Sequence, residues 1–268
     1  MTDQIPLGQA TSYPDHYSPD LLYAIARIES REALGLGEEL PFHGSDIWNA
    51  WELTWLNLDG VPQVAVADIR VPATSPNIVE SKSLKLYLGS FAMTRYSGTD
   101  AVSAIIRQDL TDCIGAEVSV ALSGVDGDHA IHQLPGNCID ASPARCEAYD
   151  IDPGLLSTRE ETAEESLHSH LLRSLCPVTD QPDIGSVLIA YAGRRIDPAG
   201  LLQYIVSYRQ HNDFHEACVE RIFVDILEKC QPQKLTVYAA FQRRGGIDIN
   251  PFRSNFEDDP PNLRLWRQ

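Results

Sequence analysis

The stretch SVLIAYAGRRIDPAGLLQYIVSYR, residues 186–209, decides the fold class because its hydrophobic pattern changes part-way along it. Its first nine residues form an apolar run that is typical of a strand, and the rest has helical spacing, with Pro198 near the first turn. A longer helix is predicted over 214–230, and a strand over 234–244. The predicted order is therefore strand, helix, helix, strand.

The first half of the chain repeats this order. Asp59-Gly60 marks a hairpin turn between two strands, Thr99 is a plausible helix N-cap, and Gly115 is a helix stop. The predicted elements are two strands, two helices and a further strand, at 49–58, 62–72, 78–91, 99–115 and 117–122. The two halves therefore carry tandem copies of one arrangement of strands and helices.

The region 123–160 is rich in Gly, Pro, Asp and Ser, so the boundary between the two copies is placed inside it. We expect an N-terminal module over 1–140, which carries the string ESKSLK, and a C-terminal module over 141–268.

Composition excludes some functions. The 268 residues are 43% hydrophobic, but no apolar run approaches the roughly 20 residues of a membrane span. The N-terminal string MTDQIPLGQATSYPD lacks a basic region followed by an apolar one, so we expect a cytoplasmic protein with no membrane partner. A net charge of -17 argues against direct nucleic-acid binding, which depends on cationic side chains.

Positive charge is concentrated locally. The chain has four lysines, and two of them, Lys82 and Lys85, lie in ESKSLKLYL. In so acidic a chain this is a candidate anion site, although a solvated helix face explains the same pattern.

Cysteine and histidine positions give no clear metal site. The six cysteines include no CxxC pair, so a zinc ribbon has no support, and cytosolic thiols are normally reduced. The string HSH at 168–170 has Cys176 nearby, but on a helix residues two apart point to different faces. Surface histidines are therefore favoured over ligands, and no metal is predicted.

Common catalytic motifs are absent. The sequence has no G-x-G-x-x-G, no P-loop and no G-x-S-x-G. The string GLGEE at 35–39 has the first two glycines of a dinucleotide motif alone, and a turn explains it better.

Polar residues instead collect where predicted elements begin or end, at 80–82, 215–216 and 243–246. A helix N-terminus beside Lys82 suits phosphate. Glu80 and Glu216 are explained as well by helix capping, and Cys176 by burial as an inert thiol.

Five strings, taken together, resemble one family. ESKSLKLYLGSF is similar to the E-S/L-K-S-x-K-L/Y motif of the 7-cyano-7-deazaguanine reductases, the nitrile reductases of queuosine biosynthesis, a tRNA modification pathway. The resemblance extends from about residue 20 to residue 256, and its order looks like the longer, two-module branch. The other matching strings are LPFHGSDIWNAWELTWLN, SLCPVTDQPDIGS, HNDFHEACVERI and RRGGIDINPFRS.

The resemblance implies an α+β protein of two tandem tunnelling-fold modules, each an antiparallel sheet with two helices packed on one face. It also implies a homodimer with sites at module interfaces, because one chain supplies too few strands to close the family's barrel.

For catalysis, the resemblance implies that the thiolate of Cys176 adds to the nitrile carbon of 7-cyano-7-deazaguanine and gives a thioimide. Asp183 matches the family's proton donor, so we expect burial or a nearby negative charge to raise its pKa. Capping the turn before Ile184 is the alternative role of Asp183. NADPH then supplies two hydrides, which carry the nitrile through an imine to the amine.

For binding, the resemblance implies that Glu80 and Glu216 read the N–H and NH2 donors of the deazaguanine ring. Val79, Ser81 and His215 complete the matched contacts, and His215 is also expected to relay a proton at the imine stage. Stacking of Phe214 on the ring is inferred from its position in the sequence. The residues implied to bind NADPH are Ser81, Lys82, Arg244 and Gly245.

His211 and Asn212 have no assigned role, and Cys218 is interpreted as a packing thiol. Three rival functions remain open. One is a GTP-cyclohydrolase-like metal-dependent hydrolase of the same fold, which a metal assay would identify. The others are a non-catalytic purine-binding module, which would not consume NADPH, and a nitrilase-type thiol hydrolase, which would release ammonia.

Overall fold

A computed structural model describes residues 13–126, 130–258, 260 and 262–268. The described chain forms two compact units. The first falls within Met1–Glu32, Asp46–Ala130 and Arg243–Ile249, and the second within Ala33–Ser45, Ile131–Gln242 and Asn250–Gln268.

This division differs from the predicted one, in which the N-terminal module ends at residue 140 and the C-terminal module begins at residue 141. The boundary between the units lies near residue 130. The first unit also includes Arg243–Ile249, and the second also includes Ala33–Ser45. The physical reason is core packing. Ile247 and Ile249 belong to the hydrophobic cluster of the first unit. The Phe42 ring lies edge-on to that of Phe223, 5.3 Å away, inside the second unit.

In the first half of the chain, strands and helices begin after a short 3₁₀ turn at Pro19–Leu21. The helices are α1 (Ile28–Ala33), α2 (Ser81–Gly89) and α3 (Thr99–Ile114). The strands are β1 (Ala24–Ala26), β2 (His43–Leu56), β3 (Pro62–Pro72), β4 (Asn77–Val79) and β5 (Ser119–Ser123).

Local sequence signals explain several of these bounds. Gly60 turns the chain between β2 and β3 with a φ of 82°, which glycine adopts readily. Gly115 ends α3 in the left-handed region, as predicted. Thr99, in contrast, is the first residue of α3, and the N-cap position belongs to Gly98, so the predicted cap is wrong by one residue.

The two longer helices of the first unit, α2 and α3, pack on its sheet, in which β3 lies between β2 and β5. Alternate residues of β3 are buried, and α3 buries one stripe at helical spacing. Together with the buried face of α2, they form one cluster; its members include Ala65, Ala67, Ile69, Val71, Leu84, Tyr87, Val102, Ile106 and Leu110. This is the expected α+β arrangement.

In the second half, the helices are α4 (Pro198–Ser207) and α5 (His215–Cys230). The strands are β6 (Asn137–Cys138), β7 (Thr158–Leu175), β8 (Pro182–Ile196), β9 (Lys234–Phe241) and β10 (Ile247–Ser254). The strand order is β10-β9-β8-β7-β6, with β8 antiparallel to both neighbours and β6 parallel to β7.

The sequence did not predict β7, whose first residues are mostly polar and exposed. The prediction about the HSH string assumed a helix and is wrong, because the string lies on β7. His168 and His170 lie two apart on a strand, and a strand puts such residues on the same face. Their ring centroids are 5.2 Å apart.

The helices are short. The two longest in the described ranges, α3 and α5, each have 16 residues. Among the described residues, none of the helices combines the length and apolarity that a membrane crossing requires.

Candidate active site

Cys176 begins the turn that joins β7 to β8. Its N–H donates to the Gln181 carbonyl at 2.9 Å, and the Asp180 N–H donates to the Cys176 carbonyl at 3.0 Å. Asp180 has a φ of 53°, a left-handed conformation that Asp tolerates better than most residues. The Cys176 residue is half-buried. It therefore lies in a firmly held turn with part of its surface open, unlike a deeply buried inert thiol.

The segment before α5 lies beside the end of β7. The Leu175 N–H donates to the His211 carbonyl at 2.8 Å, and the Asp213 N–H donates to the Leu175 carbonyl at 3.1 Å. Asn212 donates its side-chain amide to the Asp180 carboxylate at 2.5 Å. The two residues without an assigned role, His211 and Asn212, thus connect the turn of Cys176 to the start of α5.

Asp183 and His215 are in contact. Asp183 lies on β8, is 3% exposed, and has its Oδ2 atom 3.3 Å from Nε2 of His215. His215 is the first residue of α5, and its ring stacks on Phe241, with centroids 3.9 Å apart and an interplanar angle of 9°. The stacking fixes the plane of the imidazole. Phe241 is a supporting residue that the sequence analysis missed.

The three predicted catalytic residues therefore belong to one region of the second unit. Ser174 and Asp183 are directly opposite each other in the β7–β8 ladder, so Cys176 follows this pair by two residues. His215 reaches the same strand through its contact with Asp183.

Glu216 is the second residue of α5 and is 3% exposed. The N-cap position belongs to Phe214, which makes no side-chain capping hydrogen bond. The backbone N–H of Phe214 donates to Oδ1 of Asp213 at 2.8 Å. Glu216 is therefore not the N-cap. Its buried carboxylate directly follows His215 in the chain, which makes it a candidate for ligand recognition.

Cys218 lies one turn into α5 and is fully buried. Burial raises the pKa of its thiol well above the ordinary value, and the negative charge of Asp213 raises it further. A neutral, enclosed thiol agrees with a packing role for Cys218.

In the first unit, Glu80 is the N-cap of α2. Its carboxylate accepts from the N–H of Lys82 at 2.9 Å and from that of Ser83 at 2.7 Å. Glu80 is 2% exposed, and the neighbouring Val79 belongs to the hydrophobic cluster. The capping role considered for Glu80 is therefore present in this structure, and Oε1 also accepts from the Ser81 hydroxyl at 3.5 Å.

The turn after β9 lies against α2. The Arg244 N–H donates to the Ile247 carbonyl at 2.9 Å, and Gly245 has a φ of 60°. A Cβ atom at Gly245 would lie 3.2 Å from Cδ of Lys85. The structure thus brings the glycine turn beside the helix that carries Ser81 and Lys82, both half-buried. Lys85 was not among the predicted cofactor residues, although it lies in the same motif.

Comparisons with known proteins identify the family of this chain. Residues 13–122 match the family model "Nitrile reductase, 7-cyano-7-deazaguanine-reductase N-term", and residues 182–260 match "QueF-like protein". An NADPH-dependent 7-cyano-7-deazaguanine reductase of Paraburkholderia xenovorans is 54% identical over 99% of both chains. One of Burkholderia multivorans is 53% identical over 98% of both.

The chain belongs to the NADPH-dependent 7-cyano-7-deazaguanine reductase family. The expected fold class, α+β with two tandem tunnelling-fold modules, is confirmed by the two family matches together with the two units. A crystal structure of the archaeosine synthase QueF-Like in the apo form gives a TM-score of 0.32 at 15% identity, covering 37% of this chain and 97% of that one. A TM-score of this size does not establish a common fold.

The names of these reductase relatives state NADPH dependence, and the first unit offers groups that suit such a cofactor. Lys82 and Lys85 project from the first turns of α2, and the turn of Arg244 and Gly245 adjoins Lys85. Cationic side chains beside a helix N-terminus and a left-handed glycine fit an anionic dinucleotide.

Proposed function

We propose that this protein reduces the nitrile of 7-cyano-7-deazaguanine to the primary amine of 7-aminomethyl-7-deazaguanine with NADPH, as a step of tRNA queuosine biosynthesis. The observation that carries the proposal is identity above 50% to curated reductases of that name over nearly the whole length of both chains. The contact between Asp183 and His215 beside the turn of Cys176 supports it independently.

Cys176 is the nucleophile of the proposed reaction. Its thiolate forms a bond to the nitrile carbon, one carbon–nitrogen π bond breaks, and the nitrogen takes up a proton, which gives a thioimide. The half-buried position of Cys176 supports this role, because a substrate must reach the sulfur. The turn's two backbone hydrogen bonds hold the thiol in place.

Asp183 supplies the proton to the nitrile nitrogen. Its burial supports this role, since a buried carboxyl is more readily kept neutral than an exposed one. His215 contacts Asp183 and relays a proton at the imine stage, with its ring held by Phe241. Two protons and two hydrides convert the nitrile to the amine, and the carbon–sulfur bond breaks as the imine forms, which returns the Cys176 thiolate.

NADPH supplies the hydrides when it is bound. Ser81, Lys82, Arg244 and Gly245 hold it in this proposal. The arrangement of the glycine turn beside α2 supports the assignment of Gly245, because any side chain there would press on Lys85.

Glu216 and Glu80 read the N–H and NH2 donors of the deazaguanine ring through carboxylate oxygens. Val79 and Ser81 add contacts, and Phe214 stacks on the ring. The assignment is supported by the match of both positions to the family motifs, in which Glu80 directly precedes Ser81 and Glu216 directly follows His215.

The proposal includes a cytoplasmic homodimer that acts on the free base and does not bind nucleic acid directly. The net charge of -17 supports the last point, because RNA backbones would be repelled. Light scattering on the purified chain tests the dimer: a monomer at working concentration would contradict it.

The deciding experiment follows NADPH oxidation after addition of 7-cyano-7-deazaguanine, together with intact-protein mass. The parent chain should consume NADPH, form the amine, and show an adduct of the substrate's mass when NADPH is left out. Cys176→Ala should lose both the adduct and the turnover, whereas Cys146→Ser, in a half-buried loop cysteine, should keep both.

Retained turnover in Cys176→Ala would refute the thioimide route. Substrate binding without NADPH consumption would identify a purine-binding module instead. Release of ammonia in place of the amine would identify a nitrilase-type hydrolase.

A further inference from the structure

A second group of reactive side chains lies away from Cys176, on β6 and β7. Cys138, His168 and His170 each offer one ligand atom, and these atoms all lie within 4.8 Å of one another. Cys138 is opposite His168 in the parallel β6–β7 pair, and the two histidine rings are neighbours on one face of β7. Two separate strands therefore supply the group.

Hydrogen bonds orient both imidazoles. Nδ1 of His168 lies 3.0 Å from the Pro135 carbonyl oxygen. A carbonyl can accept but not donate, so this nitrogen carries the proton and the lone pair is on Nε2. Nδ1 of His170 lies 2.8 Å from Oγ of Ser186. An imidazole that is held through one nitrogen by a carbonyl or hydroxyl is the usual arrangement of a metal-binding histidine.

The backbone around the group is tightly fixed. The Asp140 carboxylate accepts from the Ser169 hydroxyl at 2.7 Å and from the His170 N–H at 3.1 Å. A Cβ atom at Gly136 would lie 2.0 Å from the Ser166 carbonyl oxygen, and its φ is 80°. Glycine is therefore required for residues 136–138 to approach β7 this closely.

Charge near the group is mixed. Asp140 contributes a negative charge, and Arg267 a positive one, since it donates to Oγ of Ser186 at 2.9 Å and to the His170 carbonyl at 2.9 Å. A thiolate at Cys138 would add the further negative charge that a divalent cation needs. One thiolate and two imidazoles suit zinc better than magnesium or calcium, which prefer oxygen ligands.

We propose that Cys138, His168 and His170 bind a zinc ion, with water as the fourth ligand. Zinc bond lengths of about 2.0–2.3 Å put tetrahedral ligand atoms roughly 3.5 Å apart. The ligand atoms, which lie within 4.8 Å of one another here, must therefore approach one another by about 1 Å when zinc binds. Cys138 is exposed and its side chain can rotate to do so. The ion ties residues 135–140 to β7. It takes no part in the proposed nitrile reduction, and it revises the sequence-based expectation of no metal.

Cobalt(II) is the test probe, added to the EDTA-treated and desalted full-length chain. One equivalent per chain should give intense tetrahedral d–d bands and a thiolate-to-cobalt charge-transfer band, and zinc should displace both. Cys138→Ser should remove the charge-transfer band. His170→Gln should weaken cobalt binding at least ten-fold. Cys146→Ser, in a neighbouring loop outside the group, should leave the spectrum unchanged.

A charge-transfer band that persists in Cys138→Ser, or no band at one equivalent in a parent chain with native circular dichroism, would overturn the proposal. Because Cys138 is exposed, its serine variant is expected to fold, and circular dichroism checks this. Cobalt spectra do not depend on substrate or NADPH, so failure here is distinct from failure of the reductase assignment.

Discussion

The helices α2 and α5 begin in opposite ways. At α2 the acidic residue Glu80 is the N-cap, and its carboxylate binds the backbone N–H groups of the first turn. At α5 the N-cap position is Phe214, and the acidic residue Glu216 comes two positions later, buried beside His215. The Glu80 carboxylate caps its own helix, whereas Glu216 follows an N-cap residue that makes no side-chain capping hydrogen bond. The comparison teaches that burial of an acid at a helix start does not by itself indicate function.

Among the variants that test this comparison, the largest effect is expected from Asp183→Asn, because Asp183 contacts His215 at the start of α5. Removing a positioned proton donor commonly slows a reaction by about 10² to 10⁴-fold, and the amide cannot donate an acidic proton to the nitrile nitrogen. Stopped-flow measurement of adduct formation should show this loss, with substrate affinity changed much less. Glu160→Gln, an exposed site on β7, is the matched control. Equal rates in Asp183→Asn and the parent would remove Asp183 from the mechanism.

Glu216→Ala is expected to weaken substrate binding on the order of ten- to hundred-fold, which corresponds to the loss of charged hydrogen bonds of about 1.5–3 kcal/mol. Calorimetric titration of the Cys176→Ala background with 7-cyano-7-deazaguanine measures binding without adduct formation. Glu228→Ala, exposed on the same helix, should bind like the parent. Unchanged affinity in Glu216→Ala would mean that the two helix starts do not differ in the way proposed.

Lys82→Ala is expected to raise the KM for NADPH about ten-fold, because one charge-assisted contact to a phosphate is lost. The KM for the nitrile substrate should change little. Lys229→Ala, which removes an exposed lysine at the end of α5, is the control. Steady-state kinetics with both substrates varied measures the KM for NADPH and the KM for the nitrile separately. An equal rise in both KM values would point to a folding defect rather than a cofactor contact.

Glu80→Ala tests whether the N-cap of α2 stabilises the protein. Losing an N-cap costs about 1 kcal/mol, and here two N–H groups lose their acceptor. Urea denaturation should show a lower free energy of unfolding than for Glu117→Ala, which is exposed in the same unit. A stability equal to that control would show that the cap at α2 is not an energetic feature.

The sequence predicted features that depend on neighbours along the chain. Gly60 and Gly115 mark a turn and a helix end because only their own backbone angles decide the outcome. It did not predict β7, since the polar residues of a half-exposed strand resemble a loop. The exchange of residues 33–45 and 243–249 between the units depends on contacts distant in sequence, which no local pattern records.

The site divides in the same way. Motif resemblance named Cys176, Asp183 and His215, and the structure places the last two in contact. It did not name Phe241, which holds the imidazole, and it gave no role to Asn212, which holds the turn. Both act through partners that are distant in sequence, Phe241 on His215 and Asn212 on Asp180, so the strings alone did not show their roles.

The position of Ile247 and Ile249 has a consequence for synthesis on the ribosome. These side chains complete the core of a unit whose other members lie between Trp48 and Val118, so well over a hundred residues must emerge before that core can close. Until then the nascent chain exposes a hydrophobic surface to chaperones and proteases. Truncation a few residues before 247 would therefore damage the unit made first, not just the one made last.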